Sequence, residues 1–120
     1  MSMQIETRLS DQLAKYLDLT VSETRLTATN MANVDTPGYQ AQGFDFEAEM
    51  RKALQTHDGQ GTMPIHIHPI DGLISRPDGN NVSMDRESLN LAEAQLRFKT
   101  GVTLMRLENQ RVMDAIHADK

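Results

Sequence analysis

The feature that most constrains this chain is an apolar stripe through its last third, from about Asp85 to His117. Its members recur at steps of three and four residues, the spacing of one helix face. They are Leu91, Ala94, Phe98, Val102, Met105, Val112 and Ile116, with Asn109 as the polar exception. A stripe this long is typical of a coiled-coil-like helix of roughly 50 Å. One helix cannot bury it alone, so the sequence predicts a partner helix in this chain or another.

Residues 5–33 predict the other long helix, since no glycine or proline lies between Met1 and Asp35. Its apolar positions form a wide, less regular stripe. They are Ile5, Leu9, Leu13, Tyr16, Leu17, Leu19 and Leu26. Several threonines lower its helix propensity, so packing must stabilise it. This helix is the plain partner for the C-terminal stripe, in an antiparallel or staggered pair.

Between the helices the chain is dense in turn residues. Thr36-Pro37-Gly38-Tyr39 predicts a type II turn, with Gly38 at the position of positive φ. Residues 45–55 predict a short helix capped by Asp45. Residues 65–68 alternate like a short edge strand, and residues 78–81 predict another turn.

Two positions matter for the last helix. Ser83 or Asp85 is its predicted N-cap. Gly101, inside it, indicates a close backbone approach or a bend.

The predicted fold class is mainly α-helical. Residues 1–33 and 85–120 pair as one assembly domain, and residues 34–84 form a loop-rich insert with short β pieces. An irregular insert of that length is unusual in a compact domain. It therefore predicts an interaction segment, or a part that becomes ordered only in a complex.

The composition excludes several classes of protein. The 120 residues carry a net charge of −5 and no basic cluster, so nucleic acid is not an expected partner. No apolar run is long enough to insert into a membrane, and the N-terminus lacks the features of a secretory signal. The absence of cysteine removes disulfides and thiol chemistry. A 4% aromatic content indicates a thin core, completed in an assembly.

Catalytic and metal sites have weak support. His57, His66 and His68, with Asp58 or Asp71, allow a metal site, but a solvated loop explains them better. No phosphate loop, nucleophile motif or cofactor motif is present. Acidic and basic side chains alternate along both helices, as on solvated or interface faces. They are Glu6, Asp18, Glu93, Glu108, Arg8, Lys15, Arg97 and Arg106.

Residues 28–40, ATNMANVDTPGYQ, resemble the N-terminal signature of bacterial flagellar rod, hook and hook-associated proteins, A-S-N-I-A-N-x-x-T-P-G-Y. The matching residues are Asn30, Ala32, Asn33, Thr36, Pro37, Gly38 and Tyr39. Thr29 and Met31 depart from it. Phe44-Asp45-Phe46 and residues 78–87, DGNNVSMDRE, narrow the resemblance to the proximal rod members.

The resemblance implies a structural subunit of the basal-body rod, needed for motility, with no enzymatic activity and no cofactor. It implies export without a cleaved signal peptide and assembly in the periplasmic rod. The implied partners are further copies of the chain, other rod proteins, the proteins of the membrane-ring junction and those of the export gate.

The residues expected to form the assembly seam are apolar positions of both terminal helices. They are Leu9, Leu13, Leu26, Leu91, Phe98, Val102, Met105, Val112 and Ile116. The amides of Asn30 and Asn33 cap the helix locally, bond neighbouring subunits, or do both. Asn109 either fixes the register of the seam or faces solvent, and solvent is favoured.

Two other functions remain open at this point. A small helical adaptor or export chaperone would sheath a partner's helix with the same stripes. A metal-dependent enzyme would use the histidine cluster.

Overall fold

In the computed structural model, residues 7–55 and 64–118 are described. Within them the elements are α1 (Arg8–Ala32), β1 (Gln42–Gly43), α2 (Phe46–Gln55), β2 (His68–Pro69) and α3 (Met84–His117). The predicted class is confirmed, with two long terminal helices packed together, a short helix between them and a two-stranded sheet. The predictions for Ile5, Glu6, His57 and Asp58 lie outside the described residues.

Side-chain caps set the helix starts. The Thr7 and Ser10 side chains each accept from the other's backbone N–H, at 3.0 and 3.1 Å, which forms a capping box before α1. Of the two predicted caps for α3, Ser83 is the one used, because its hydroxyl accepts from the N–H of Arg86. The predicted cap of α2 is confirmed too, since the Asp45 carboxylate accepts from the Ala48 N–H.

The two long helices are antiparallel. Thr7 Oγ1 donates to Glu108 Oε1 at 2.7 Å, Arg97 Nη1 donates to Glu23 Oε1 at 2.7 Å, and Asn30 Nδ2 donates to Glu87 Oε1 at 3.3 Å. Residue numbers therefore rise along α1 as they fall along α3. The 34 residues of α3 continue for about two and a half turns past Glu108, beyond the described start of α1.

Residues seven apart build the seam between the helices. On α3 the buried positions are Glu87, Ala94, Gly101 and Glu108, and on α1 they include Leu13, Thr20 and Thr27. A Cβ added at Gly101 would lie 2.7 Å from Leu17 Cδ2 and 3.0 Å from Tyr16 Cδ1. The predicted close approach at Gly101 is therefore confirmed.

The centre of the seam differs from the predicted apolar stripe. Ala94 is fully buried, but the larger side chains of the stripe lie beside the contact, with Phe98 44% and Ile116 42% exposed. Glu108, predicted to lie on a solvated or interface face, is 3% exposed inside the pair. Small side chains at the contact bring the helices close together, and this leaves the large ones at its edges.

The short sheet is shifted from its predicted place. β1 and β2 pair antiparallel, with Gln42 opposite Pro69 and Gly43 opposite His68. The predicted strand covered residues 65–68. The shift has a local cause, because the N–H of His66 donates to Glu49 Oε1 at 3.1 Å instead of to a neighbouring strand.

The described part of the middle segment is tied to the end of α1. Asn80 Nδ2 donates to the carbonyls of Asn33 and Thr36, both at 2.8 Å. The N–H of Gly38 donates to the Asp78 carbonyl at 2.9 Å. The sequence predicted an interaction segment or a part that becomes ordered only in a complex. These bonds already form within one chain, and the interaction role stays a prediction.

A substitution at Gly101 tests the close approach. Gly101→Val should lower the free energy of unfolding by about 1–3 kcal/mol, because its side chain overlaps Tyr16 and Leu17. Thr103→Val, at a neighbouring exposed position, is the matched control and should change it far less. Urea denaturation followed by circular dichroism measures both, and equal losses would contradict this packing.

The ion pair at Glu108 should make stability depend on pH. Hydrogen bonds from Arg111, and then from Thr7, hold the pKa of the Glu108 carboxyl below its ordinary 4.5. A group with a lowered folded pKa stabilises the fold above its unfolded pKa, and this stabilisation is lost as pH falls through the folded pKa.

The stability difference between the wild type and Glu108→Gln should therefore be largest near neutral pH. It should shrink as the pH falls below 4.5. Urea titrations at several pH values measure it. Glu93→Gln, at an exposed position of the same helix, is the matched control and should change stability far less than Glu108→Gln near neutral pH.

Candidate assembly surfaces

Asn30 is the polar centre of the signature. It is 2% exposed, and Nδ2 donates to the Gln42 carbonyl at 2.9 Å as well as to Glu87. Its Oδ1 accepts from the Gln42 N–H at 3.0 Å and from the Tyr39 hydroxyl at 3.2 Å. Both donors and both acceptor positions are thus occupied within the chain, which leaves the amide nothing to offer a neighbouring subunit.

Asn33 has a local role. Its Nδ2 donates to the Thr29 carbonyl at 2.8 Å, and its Oδ1 accepts from the Thr36 hydroxyl at 3.0 Å. These bonds close the last turn of α1. The structure therefore shows the local capping role, and bonds from Asn33 to neighbouring subunits stay a prediction.

The predicted turn follows at once. Gly38 has a φ of 75°, and the N–H of Tyr39 donates to the Thr36 carbonyl at 3.2 Å, as the type II turn requires. Gly79, with a φ of 86°, lies against it, since a Cβ there would be 3.4 Å from Gly38 Cα. Glycine at both positions lets the two loops cross in contact.

A buried carboxylate lies beneath this turn. Glu87 is 1% exposed, and among the described residues its Oε2 has no hydrogen-bond partner. Burial, and then the charge of Glu87, raise the pKa of the Tyr39 hydroxyl. Tyr39 therefore stays protonated and able to donate to Asn30.

One flank of the helix pair is covered by α2. The rings of Tyr16 and Phe46 meet edge to face, 5.5 Å apart, and Arg97 Cζ lies 4.5 Å from the Phe46 ring centre. Arg97 also pairs with Glu23. Asn30 holds β1 on the same side. We call this side the covered flank.

The opposite side of the pair is the open flank. It is lined by apolar side chains of both helices, half-buried or exposed. They are Leu17, Val21 and Ala28 of α1 with Met84, Leu91, Phe98, Val102, Met105, Val112 and Ile116 of α3. Five of the α3 side chains follow one another at steps of one heptad and so form a continuous column along the helix. They are Met84, Leu91, Phe98, Met105 and Val112.

The residues predicted for the assembly seam divide between these surfaces. All six on α3 lie on the open flank. Leu13 is buried in the contact between α1 and α3, and Leu9 is exposed near the start of α1. Leu26 lies on the covered flank, one turn from both Glu23 and Asn30. Asn109 is exposed, which agrees with the favoured interpretation that it faces solvent.

The side of α3 that faces away from α1 carries a second apolar surface, which was not predicted from the sequence. Leu89, Leu96 and Leu107 are 62%, 66% and 62% exposed and point away from α1. Their spacing of seven and eleven residues is compatible with one helix face. That spacing was the available signal, but the predicted stripe on the same helix obscured it.

The geometry gives no support to the metal site that the sequence allowed but did not favour. The rings of His66 and His68 lie 5.5 Å apart on exposed residues. Within residues 7–55 and 64–118, no three metal-binding side chains converge. None of the helices in those ranges is both long and apolar enough to cross a membrane.

Known proteins resemble this chain along most of its length. A Proteus mirabilis protein is 34% identical over 116 residues, which cover 81% of this chain and 85% of the relative. Proteins of Yersinia enterocolitica and Salmonella typhimurium are 30% and 29% identical, covering 74% and 83% of this chain and 79% and 86% of theirs. No model of a protein family matches the sequence.

All three relatives are flagellar basal body rod proteins, so the paired helices and the signature define a protein of that class. Their individual name is FlgB, and the chain belongs to the FlgB family. The resemblance seen in the sequence is confirmed.

The two signature asparagines should respond differently to substitution. Asn30→Ala leaves buried polar groups of Gln42, Tyr39 and Glu87 without their partner and should cost at least about 2 kcal/mol of unfolding free energy. Asn33→Ala removes exposed local bonds and should cost less than about 1 kcal/mol. Denaturation of both variants side by side makes the comparison. A larger loss for Asn33→Ala would contradict the assigned roles.

Proposed function

We propose that the chain is a structural subunit of the proximal part of the flagellar basal-body rod and assembles through the open flank. One observation carries this proposal. A column of large apolar side chains on α3, with Leu17 and Val21 of α1, lies on a side of the pair that the described middle segment does not cover. Within the described residues the buried apolar side chains are few and mostly small or medium. They are Leu13, Leu19, Ala41, Val82 and Ala94.

The energetics favour association. Burial of apolar surface stabilises a contact by about 25 cal/mol per Å². The column along α3 is still half-exposed, so much of this free energy is gained only when another molecule covers it. Phe98, which is 44% exposed, and Met105, which is half-buried, both have apolar surface left to bury. Contiguous exposed apolar surface of this kind marks interaction sites.

The proposed division of labour follows from the two flanks. Residues 1–33 and 85–120 form the assembly unit, and residues 34–84 form an insert that covers one side of it. The turn at residues 36–39 directs the chain away from the pair. The insert therefore restricts assembly to the remaining surfaces.

The proposed partners are further copies of this chain, other rod proteins, and the proteins of the membrane-ring junction and the export gate. The family resemblance and the rod-protein relatives support this set. In the same proposal, the chain reaches the periplasmic rod by the flagellar export route without a cleaved signal peptide, and motility requires it.

A charge placed on the open flank tests the proposal. Phe98→Asp should abolish swimming, because assembly would bury an unpaired carboxylate. Soft-agar motility and recovery of the subunit in purified basal bodies measure the effect. Ile74→Asp is the matched control, because Ile74 is 92% exposed in the middle segment, and this variant should swim normally.

Circular dichroism of both purified variants separates loss of assembly from loss of folding. A Phe98→Asp chain that keeps its helices and still enters the basal body would overturn the role of this flank.

A further inference from the structure

We propose that the free chain forms a two-fold symmetric dimer through its open flank, giving a four-helix bundle with a second copy. This goes beyond the proposed function and does not depend on it. The dimer would cover the apolar column of α3 before the subunit meets any other rod component. Charges at the two edges of the open flank support this arrangement.

The edges carry opposite charge. On the α1 edge, Asp11 and Asp18 are exposed and lie one heptad apart. On the α3 edge, Lys99 and Arg106 are exposed and also lie one heptad apart. Within the described chain Asp18, Lys99 and Arg106 form no ion pair, while Asp11 contacts Lys15 Nζ at 3.3 Å.

Two symmetric arrangements bring open flanks face to face. A two-fold axis parallel to the helices places α1 of one copy on α3 of its partner, so that acidic edges meet basic edges. An axis perpendicular to the helices places α1 on α1 and brings like charges together. The charge pattern therefore selects the first arrangement, in which every helix is antiparallel to its neighbours, as in up-down bundles.

The heights of the charges also match. Gly101 lies against Tyr16 and Leu17, and Glu87 lies against Asn30, so these contacts mark equal heights on α1 and α3. Counted from these contacts, Asp11 lies level with Arg106 and Asp18 with Lys99, each within about one residue, or ~1.5 Å. Rotation about an axis parallel to the helices preserves height. Both acids of one copy therefore meet both bases of the other.

Several other edge and core positions are compatible with this bundle. Arg25, also on the α1 edge, lies level with Ala92, so it meets no base. At the centre, Leu17 of α1 would pack against Phe98. The hydroxyl of Thr24 already donates to the Thr20 carbonyl at 2.9 Å, so its methyl group can be buried without leaving a polar group unpaired.

Charge reversal in pairs provides the test. In Lys99→Glu with Arg106→Glu both edges are acidic, and in Asp11→Lys with Asp18→Lys both are basic. Each double variant should raise the dimer dissociation constant at least about tenfold at low salt, because like charges then face each other. An equal mixture of the two variants should restore a one-to-one dimer, since every contact is again between opposite charges. Sedimentation velocity on the full chain measures each case.

The control carries the same change of net charge as Lys99→Glu with Arg106→Glu, but at other positions. Arg51→Glu with Arg86→Glu alters exposed residues away from both edges and should dimerise like the wild type. Wild-type dimers that weaken with added salt would support the proposal further. A wild-type chain that stays monomeric up to its solubility limit would overturn it. So would a mixture that stays monomeric, or association that ignores both charge reversals. Because rod assembly is tested by motility in cells, failure of the dimer would leave the proposed function untouched.

Discussion

The close approach of α1 and α3 at Gly101 determines most of what the chain exposes. A Cβ at this position would lie 2.7 Å from Leu17 Cδ2, so any other residue there would force Leu17 or the helices themselves to move. Since only small or slender side chains fit a contact this tight, Ala94, Thr20 and Thr27 occupy its centre. The larger apolar side chains are left at the edges, where one copy of the chain cannot bury them. The thin core and the apolar flank therefore have one cause.

The middle segment breaks the symmetry of the pair. By packing Phe46 against Tyr16 and Arg97, it removes one flank from further contact and leaves the other available. In a member of a rod-protein family, such asymmetry gives each subunit distinct sides, which a polar assembly of identical chains requires. Leu89, Leu96 and Leu107 provide a further side, so the subunit offers unlike surfaces in at least two directions.

Local signals predicted the parts of the fold that depend on local chemistry. Ser83, Asp45 and the Pro37-Gly38 turn act within a few residues of themselves, and each was predicted from neighbouring sequence. The composition of the seam was not predicted, because hydrophobic periodicity detects large apolar residues and passes over a column of glutamate, alanine and glycine. The sequence alone also could not decide between a local and an intersubunit role for Asn30. One of its partners, Glu87, is 57 residues away along the chain, and only the fold brings the two together.

The polar ends of the seam help it to keep one register. At the centre, Gly101 favours the observed alignment, because a slide by one heptad would bring a residue with a Cβ against Tyr16 and Leu17. The ends add to this, since the same slide would separate Glu108 from Thr7 and Glu87 from Asn30 at once, while Glu108 would keep its bonds from Arg111. Buried ionised groups add little net stability, and their best-attested use is to specify alignment. Alignment is also what keeps the charges of the open flank level with one another. The register of one chain therefore decides how two chains can meet.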